Sequence, residues 1–400
     1  MLLFWAPLAL LGSLLYGGLL RLSEGLAPDL REGSNDLGIY HRAGEDLLRA
    51  EFPYRDFFFE YPPGSLPAFV PPALFSEGKL GFINLFSSEM ALVLVASLVL
   101  VSLAARHFGG PRAWPMPAAT FAAGALLLYP VAATRYDPVV TLTLAVAALG
   151  APLGGRYGLL SYASLGFGAA AKLVPALAVL ALVVARRGAG QGLAVFCAVL
   201  ALFFVPALAF GGERFVGSFA YHADRGLQIE SVPASVLMAT GRVDGVAFEF
   251  GAFEARGQAA EAAARVSLPL TAALLAATAL VMHRRFRRGG PEHHHFPRCA
   301  AALILAFMLG SKVLSPQYLL WLLPLVPLCA GGLAGAGLCL LFLAACWATV
   351  QVFPTHYGDL LSLRPPGPGL LLLRNALLAT LWVLLLLPAR GQQVLKAPPS

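Results

Sequence analysis

Long apolar stretches separated by short polar ones make up most of this chain of 400 residues. Leu, Ala and Val dominate these stretches, and many approach the roughly 20 residues that a helix needs to cross a bilayer core of about 30 Å. The alternation of apolar and polar residues that indicates strands is not the prevailing pattern. Backbone groups in hydrocarbon must be hydrogen-bonded within their own segment, so the pattern predicts an all-α, polytopic membrane protein.

The apolar pattern predicts a bundle of about twelve membrane helices, several of them too short for an independent span. The segments are 2–20, 82–105, 114–130, 137–152, 157–171, 173–185, 191–210, 266–282, 298–311, 316–330, 333–350 and 370–388. The first lacks a basic start and a small-residue cleavage site, so we interpret it as a retained helix rather than a signal peptide. We therefore expect one membrane domain, 1–400.

Two larger polar regions, 21–81 and 211–265, interrupt this pattern. Each is too short and too polar to form a separate core, so we expect amphipathic helices that lie at the membrane rim. The ring-rich run from Phe57 to Pro63 suits such an interfacial position, either as an aromatic belt alone or as part of a binding site.

Composition and charge support a membrane protein and orient it. The chain is 58% hydrophobic and 12% charged, with a mean hydropathy of +0.74 and a net charge of +7. If the N-terminus is cytoplasmic, the inner loops hold one acid, Glu292, and twelve basic residues: Arg106, Arg112, Arg156, Arg186, Arg187, Arg284, Arg285, Arg287, Arg288, Arg298, Arg390 and Lys396. The positive-inside rule then predicts cytoplasmic termini and extracytoplasmic 21–81 and 211–265. The basic balance thus indicates topology rather than nucleic-acid binding.

No cofactor or metal site is expected from sequence. The five cysteines lie in or beside apolar segments, so no disulfide framework is available to the outer loops. Three consecutive histidines, His293–His295, lie in a basic inner loop and are interpreted as solvated, because adjacent side chains cannot easily face one ion. No phosphate-binding glycine loop is present, which disfavours a sugar nucleotide as direct donor. Dependence on a divalent metal is left open. Asp36 has no Asp-x-Asp partner, which argues weakly against a dedicated divalent site.

The acidic and aromatic stretch at 34–67 is where extracytoplasmic chemistry is expected, and its motifs resemble those of a known family. The motif residues are Asp36, Tyr40, Ala43, Pro53–Phe57, Tyr61–Pro63, Lys172–Pro175 and Ser315–Pro324. Together they resemble multi-spanning glycosyltransferases of the GT-C type, above all the polyprenol-phosphate-mannose-dependent α-mannosyltransferases of glycosyltransferase family 87. The run SPQYLLWLLPL is also similar to that of the first-mannose transferase of GPI-anchor synthesis.

The resemblance implies an inverting transferase that moves a hexose, here mannose, from a polyprenyl phosphate in the bilayer to a lipid-linked or glycan acceptor. Its general base is an acid at the start of the first outer loop, a position that Asp36 occupies. A sugar hydroxyl is a poor nucleophile, and a carboxylate within hydrogen-bond reach activates it by taking its proton as the new bond forms. Asp36 is alternatively the cap of the following helix. The other acids of the loop, including Glu45, Asp46, Glu51, Asp56 and Glu60, are expected to be mostly solvated.

Lys172 interrupts an apolar stretch, where an ammonium group is costly unless it meets water or an anion. Pro175 ends the helix nearby, so we expect Lys172 at its outer end, either bound to the donor phosphate or extended to the interface. The same reasoning applies to Lys312, which is expected either to bind the donor phosphate or to extend to the interface. Arg135 is expected to pair with Asp137 at an outer turn, or to join the phosphate site.

Further substrate contacts are predicted in the motifs and the outer loops: Tyr40, Tyr54, Arg55, Glu60, Tyr61, Gln317, Tyr318 and His356. His356 is alternatively a plain interfacial histidine. The main competing function is a transporter or flippase of lipid-linked sugars, because intramembrane lysines and broken helices also mark transport pathways. No two-fold repeat of hydropathy is apparent, which disfavours the common transporter designs.

Overall fold

The computed structural model describes residues 2–26, 35–185, 190–287 and 295–387. Its helices are α1 (Leu2–Glu24), α2 (Asn35–Leu48), α3 (Val70–Leu74), α4 (Gly78–Gly109), α5 (Pro115–Leu127), α6 (Tyr129–Ala132), α7 (Asp137–Leu153), α8 (Gly155–Ala171), α9 (Pro175–Ala185), α10 (Gly190–Ala223), α11 (Val232–Ala239), α12 (Gln258–Phe286), α13 (His295–Gly310), α14 (Gly332–Val350), α15 (Tyr357–Leu361) and α16 (Gly367–Leu386). Three 3-10 helices, Pro63–Ala68, Pro316–Leu322 and Val326–Leu328, and a π-helical turn, Gln351–Thr355, complete the helical elements. The strands are β1 (Leu227–Gln228), β2 (Gly245–Glu249) and β3 (Ala252–Arg256).

The helices form a polytopic membrane bundle, as the hydropathy pattern predicts. Among the described residues, six helices are long and apolar enough to cross a membrane: α1, α4, α10, α12, α14 and α16. Shorter apolar helical segments lie between them, and each of the twelve predicted segments overlaps a helical element. The segment predicted at 316–330 consists of two 3-10 helices, because Pro324 and Pro327 lack the amide groups that a continuous α-helix would need there.

The bundle has an apolar centre and an apolar periphery. Helix α13 lies in the centre and is buried continuously from Phe296 to Ala306. Helix α10 lies at the periphery against α8, and its Leu202, Val205 and Leu208 side chains are exposed. Because lipid is as apolar as leucine, these outward side chains suit a bilayer.

The first polar region packs into an aromatic cluster that it shares with membrane helices, and so it is more than a set of rim helices. Aromatic side chains from α2, the following loop and α4 pack together, with Tyr40 stacked on Phe69 at 4.4 Å between ring centroids. Phe59 is buried in this cluster, whereas Phe58 is 66% exposed. The large rings supply the buried area that the short segment otherwise lacks.

The second polar region is also more than amphipathic helix, because it contains a three-stranded antiparallel sheet with the order β1-β3-β2. A two-residue turn, Phe250-Gly251, joins β2 to β3, and both of its residues have positive φ. Such turns match the twist of a hairpin. A small apolar cluster that includes Leu227, Ile229 and Leu360 fixes the sheet to α11 and α16.

The opposite end of the bundle carries several basic side chains. Arg298, assigned from sequence to an inner loop, is only 5% exposed. Its guanidinium donates to the main-chain oxygens of Leu384, Leu385 and Leu387 at the end of α16. It therefore stabilises a helix terminus, where a positive charge is favourable.

Candidate active site

A cavity of about 770 Å³ opens where the two polar regions meet the ends of the membrane helices. Asp36 and Tyr61 from the first region, Glu230 from the second and Lys172 from the end of α8 are among its lining residues. Its wall combines charged groups with apolar ones such as Val174. A mixed, concave site of this size is suited to a ligand that has both polar and apolar parts.

Asp36 lies in the first turn of α2 with both carboxylate oxygens engaged. Oδ1 accepts a hydrogen bond from the Tyr61 hydroxyl at 2.6 Å, and Oδ2 lies 2.9 Å from an Arg135 guanidinium nitrogen. A carboxylate in the first turn is also favoured by the helix dipole. These contacts hold the Asp36 carboxylate in one orientation at the cavity.

Electrostatics keep Asp36 ionised. Burial raises the pKa of Asp36, but the charges of Arg135 and Lys172 and the Tyr61 hydrogen bond together lower it below its ordinary value of 3.8. The nearby Glu60 behaves oppositely, because burial and the Asp36 charge raise its pKa. At neutral pH Asp36 is therefore the carboxylate better fixed in the proton-accepting form.

A second ion pair joins Lys172 to Asp137. Helix α8 ends at Ala171 and α9 begins at Pro175, which confirms the predicted break beside Lys172. The Lys172 ammonium lies 2.8 and 2.9 Å from the two carboxylate oxygens of Asp137, and Trp321 Nε1 donates to Asp137 Oδ1 at 2.7 Å. Asp137 is fully buried, whereas the Lys172 side chain is 19% exposed and lines the cavity.

The sequence suggested that Arg135 pairs with Asp137, but the two residues have different ion-pair partners. Asp137 opens α7 and lies inside the bundle beside Lys172, while Arg135 precedes the helix and extends to Asp36. Two separate pairs result, and each places one cation on the cavity wall. Arg225 and Lys312 supply further positive charge from the other side of the cavity, where the Lys312 ammonium donates to the main-chain oxygen of Arg225.

Seven of the sequence-predicted site residues line the cavity: Asp36, Glu60, Tyr61, Lys172, Lys312, Gln317 and Tyr318. Four do not. Tyr40 is 1% exposed and packs behind Tyr61, and Tyr54 is 2% exposed and donates to the main-chain oxygen of Tyr61 at 2.5 Å. Arg55 pairs with Asp56, and His356 pairs with Asp359 at 2.9 Å. We therefore assign Tyr40 and Tyr54 structural positions and leave Arg55 and His356 out of the site.

Several cavity residues escaped sequence reasoning. Arg225, Gln228 and Glu230 lie in or beside β1, and Tyr357 opens α15. No local motif marks them, because their neighbours in space come from distant parts of the chain. The one signal was the run of polar residues around Gln228 in an otherwise apolar chain. Among the described residues, no three His, Cys, Asp or Glu side chains form a group that could hold a metal ion.

The cavity thus presents an ionised carboxylate beside several cations. A carboxylate accepts a proton from an attacking hydroxyl, and cations stabilise a departing phosphate. A model of glycosyltransferase family 87 matches residues 58–316 of the chain. The chain belongs to this family. The match includes Lys172 and Lys312 but begins after Asp36, and membership favours the transferase hypothesis over the transporter hypothesis.

One solved structure supports the GT-C fold. The chain is similar to ArnT from Cupriavidus metallidurans bound to undecaprenyl phosphate, with 17% sequence identity and a TM-score of 0.51 over 96% of this chain and 76% of that one. The apo state of the same protein aligns with 14% identity and a TM-score of 0.46 over 88% and 72% of the two chains. No individually curated protein matches the chain.

Proposed function

We propose that this family 87 glycosyltransferase moves a hexose, mannose by the sequence resemblance, from a polyprenyl phosphate to a hydroxyl of a lipid-linked or glycan acceptor. The observation that carries the proposal is the joint placement of the Asp36 carboxylate and the Arg135 and Lys172 cations on one cavity. The structural relative was solved with undecaprenyl phosphate, a lipid of the proposed class.

In the proposed reaction, the acceptor oxygen attacks the anomeric carbon while its proton passes to Asp36. The bond between that carbon and the phosphate oxygen breaks, and the polyprenyl phosphate departs with the bonding electrons. The new bond forms on the face opposite the leaving group, so the anomeric configuration inverts. Tyr61 and Arg135 hold the carboxylate in place, which reduces the cost of orienting the base.

The proposed leaving group gains negative charge as the bond breaks, so nearby cations stabilise the transition state more than the bound substrate. Lys172 and Arg135 are the proposed phosphate-binding residues, because both line the cavity near Asp36. Each is already balanced by a carboxylate, which keeps the positive charge in position when the site holds no lipid.

The proposed site faces the extracytoplasmic side, with both termini in the cytoplasm. Support comes from the basic residues at the other ends of the helices, including Arg106 in the last turn of α4 and Arg284 and Arg285 in the last turn of α12. Lipid-exposed helices such as α10 allow the polyprenyl chain to remain in the bilayer while its phosphate reaches the cavity.

The test is sugar transfer by the purified protein from synthetic, radiolabelled polyprenyl-phosphate mannose to an extract of envelope glycolipids. We expect a labelled product from this donor and none from the corresponding sugar nucleotide. Parallel assays with polyprenyl-phosphate glucose and galactose examine the choice of sugar. Absence of transfer from every polyprenyl-phosphate sugar would contradict the proposed donor class.

A further inference from the structure

Glu230 is a buried acid on the cavity wall that the proposed transfer step does not use. It lies between β1 and α11 and is 2% exposed. Its Oε2 accepts a hydrogen bond from Gln228 Nε2 at 3.2 Å, while its Oε1 has no hydrogen-bond partner among the described residues. A buried acceptor without a partner is costly, so its presence on a cavity wall suggests that a ligand completes it.

The charge of Glu230 is partly offset without using the free oxygen. Arg374 of α16 is fully buried and donates to the main-chain oxygen of Glu230 at 2.6 Å, not to the carboxylate. This bond fixes the loop and places a positive charge nearby, which offsets part of the cost of burying the acid. The Oε1 atom therefore stays available to the cavity.

A hydrogen-bond donor and aromatic rings line the same cavity as this acid. Arg225 lines the same cavity, and its buried Nε also has no partner among the described residues. Phe253, Phe353 and Tyr357 line the cavity as well, with the Tyr357 ring centroid 5.9 Å from Phe253 and 5.0 Å from Phe353. Aromatic faces pack against apolar C–H groups, and the polar pair supplies an acceptor and a donor.

We infer that Glu230, together with Arg225 on the same cavity wall, contributes to a subsite that binds hydroxyl groups of a neutral sugar ring, with the aromatic residues against its apolar face. An anionic ligand is disfavoured there, because the Glu230 carboxylate would repel it. The inference rests on the proposed function, in which both donor and acceptor carry sugar hydroxyls. It adds a specificity-determining residue to the cavity, separate from the Asp36 base.

Glu230→Gln keeps the size of the side chain and removes the charge that strengthens hydrogen bonds from hydroxyls. The matched control is Glu254→Gln. Glu254 is also 2% exposed and lies in the adjoining sheet, but its Oε1 accepts from the Gly226 amide and it is not on the cavity wall. Both variants are compared with the wild type in gel filtration and melting temperature, and Glu230→Asp replaces Glu230→Gln if the latter does not fold.

Binding is measured without turnover, by saturation-transfer NMR with methyl α-mannoside and its monodeoxy derivatives. We expect Glu230→Gln to weaken binding of the parent glycoside about tenfold or more, and removal of one hydroxyl to weaken wild-type binding by a similar factor. That deoxy derivative should bind Glu230→Gln and the wild type nearly equally. Glu254→Gln should behave like the wild type.

Equal glycoside binding by Glu230→Gln and the wild type, or no glycoside binding by the wild type, would overturn the subsite. The transfer assay then separates the two sources of sugar, because a rise in KM for the polyprenyl-phosphate sugar indicates the donor and a rise in KM for the acceptor indicates the acceptor. Glycoside binding that depends on Glu230 in a protein that transfers no sugar would support the subsite and reject the proposed function.

Discussion

The Lys172 ammonium lies 2.8 Å from a carboxylate oxygen of Asp137, an acid that is fully buried. Sequence suggested two positions for this lysine, at the donor phosphate or at the bilayer interface. The structure adds a third role, because Lys172 neutralises an acid inside the bundle while part of its side chain faces the cavity. A single residue therefore affects both stability and the proposed phosphate site.

Lys172→Met should lower both stability and donor use. Methionine suits an apolar environment, but it would leave the buried Asp137 charge without its cation, a loss of about 3–5 kcal/mol for a pair of this kind. The hydrogen bond from Trp321 remains and offsets part of that loss. We expect a lower melting temperature in detergent and a decrease of about ten- to a hundredfold in kcat/KM at limiting donor.

The double variant Lys172→Met/Asp137→Asn separates these two effects. It removes the uncompensated acid, so the melting temperature should recover towards that of the wild type. Donor use should stay low if Lys172 contacts the phosphate. Recovery of both properties would show that Lys172 acts only through stability.

Hydropathy predicted the membrane helices well, because the length and composition of each segment are local properties. It did not predict the outer sheet, since strands as short as Leu227–Gln228 carry almost no pattern. A hairpin signal was nevertheless present in the repeated Phe-Glu pairs on either side of Phe250-Gly251. In a chain dominated by apolar helix, such a short signal is easily missed.

The site was predictable where a motif or a lone charge marked it, as for Asp36 and Lys172. It was not predictable where distant residues meet. Arg374 and Glu230 are joined across 144 positions of the chain, and no spacing rule connects them. The sequence likewise suggested that neighbours Arg135 and Asp137 pair, whereas the start of α7 directs them to different partners.

Arg135→Gln should shift the acid limb of the pH–rate profile for sugar transfer to higher pH. Among the groups that lower the pKa of Asp36, the Arg135 charge has the largest effect, so its removal should raise that pKa. The wild type should keep its base ionised down to below pH 3.8, and the variant should lose activity at a higher pH than the wild type. The measurement is kcat with saturating donor and acceptor between pH 3.5 and 8, so that the effect of Glu230 on sugar binding does not set the acid limb.

Arg55→Gln is the control, because this exposed arginine pairs with Asp56 and is not on the cavity wall. It should leave the acid limb in place. An unchanged limb in Arg135→Gln would mean that Asp36 does not govern the acid side of the profile.

Glu230 should make sugar binding depend on pH near neutrality. Burial raises its pKa to about 7, although the charges of Arg374 and Arg135 act in the opposite direction. The carboxylate is therefore mostly ionised at pH 8 and mostly protonated at pH 6, where it accepts hydroxyl hydrogen bonds less well. We expect the affinity for methyl α-mannoside to fall as the pH is lowered from 8 to 6. Glu230→Gln should remove this dependence, and the same slope in the variant would assign it to another group.

Reporter fusions test the proposed orientation. A reporter placed after Arg287, at the end of α12, should indicate the cytoplasm, and one inserted near Gly245, at the start of β2, should indicate the outside. The reason is the excess of basic residues at the α12 end of the bundle. If both reporters indicate the same compartment, the two polar regions do not share the extracytoplasmic side and the proposed site is wrongly placed.

Asp36→Asn examines the proposed base directly. Asparagine keeps the size of the side chain and tolerates a helix start, so folding and membrane insertion should change little. The amide cannot take the acceptor's proton, so kcat should fall by about a hundredfold or more. Glu45→Gln is the control, because Glu45 lies on the same helix, is 36% exposed and is not on the cavity wall. Glu60→Gln tests the other acid beside Asp36. Normal transfer by Asp36→Asn together with loss of transfer in Glu60→Gln would move the base to Glu60, whereas full activity in all three variants would reject a carboxylate base in this loop.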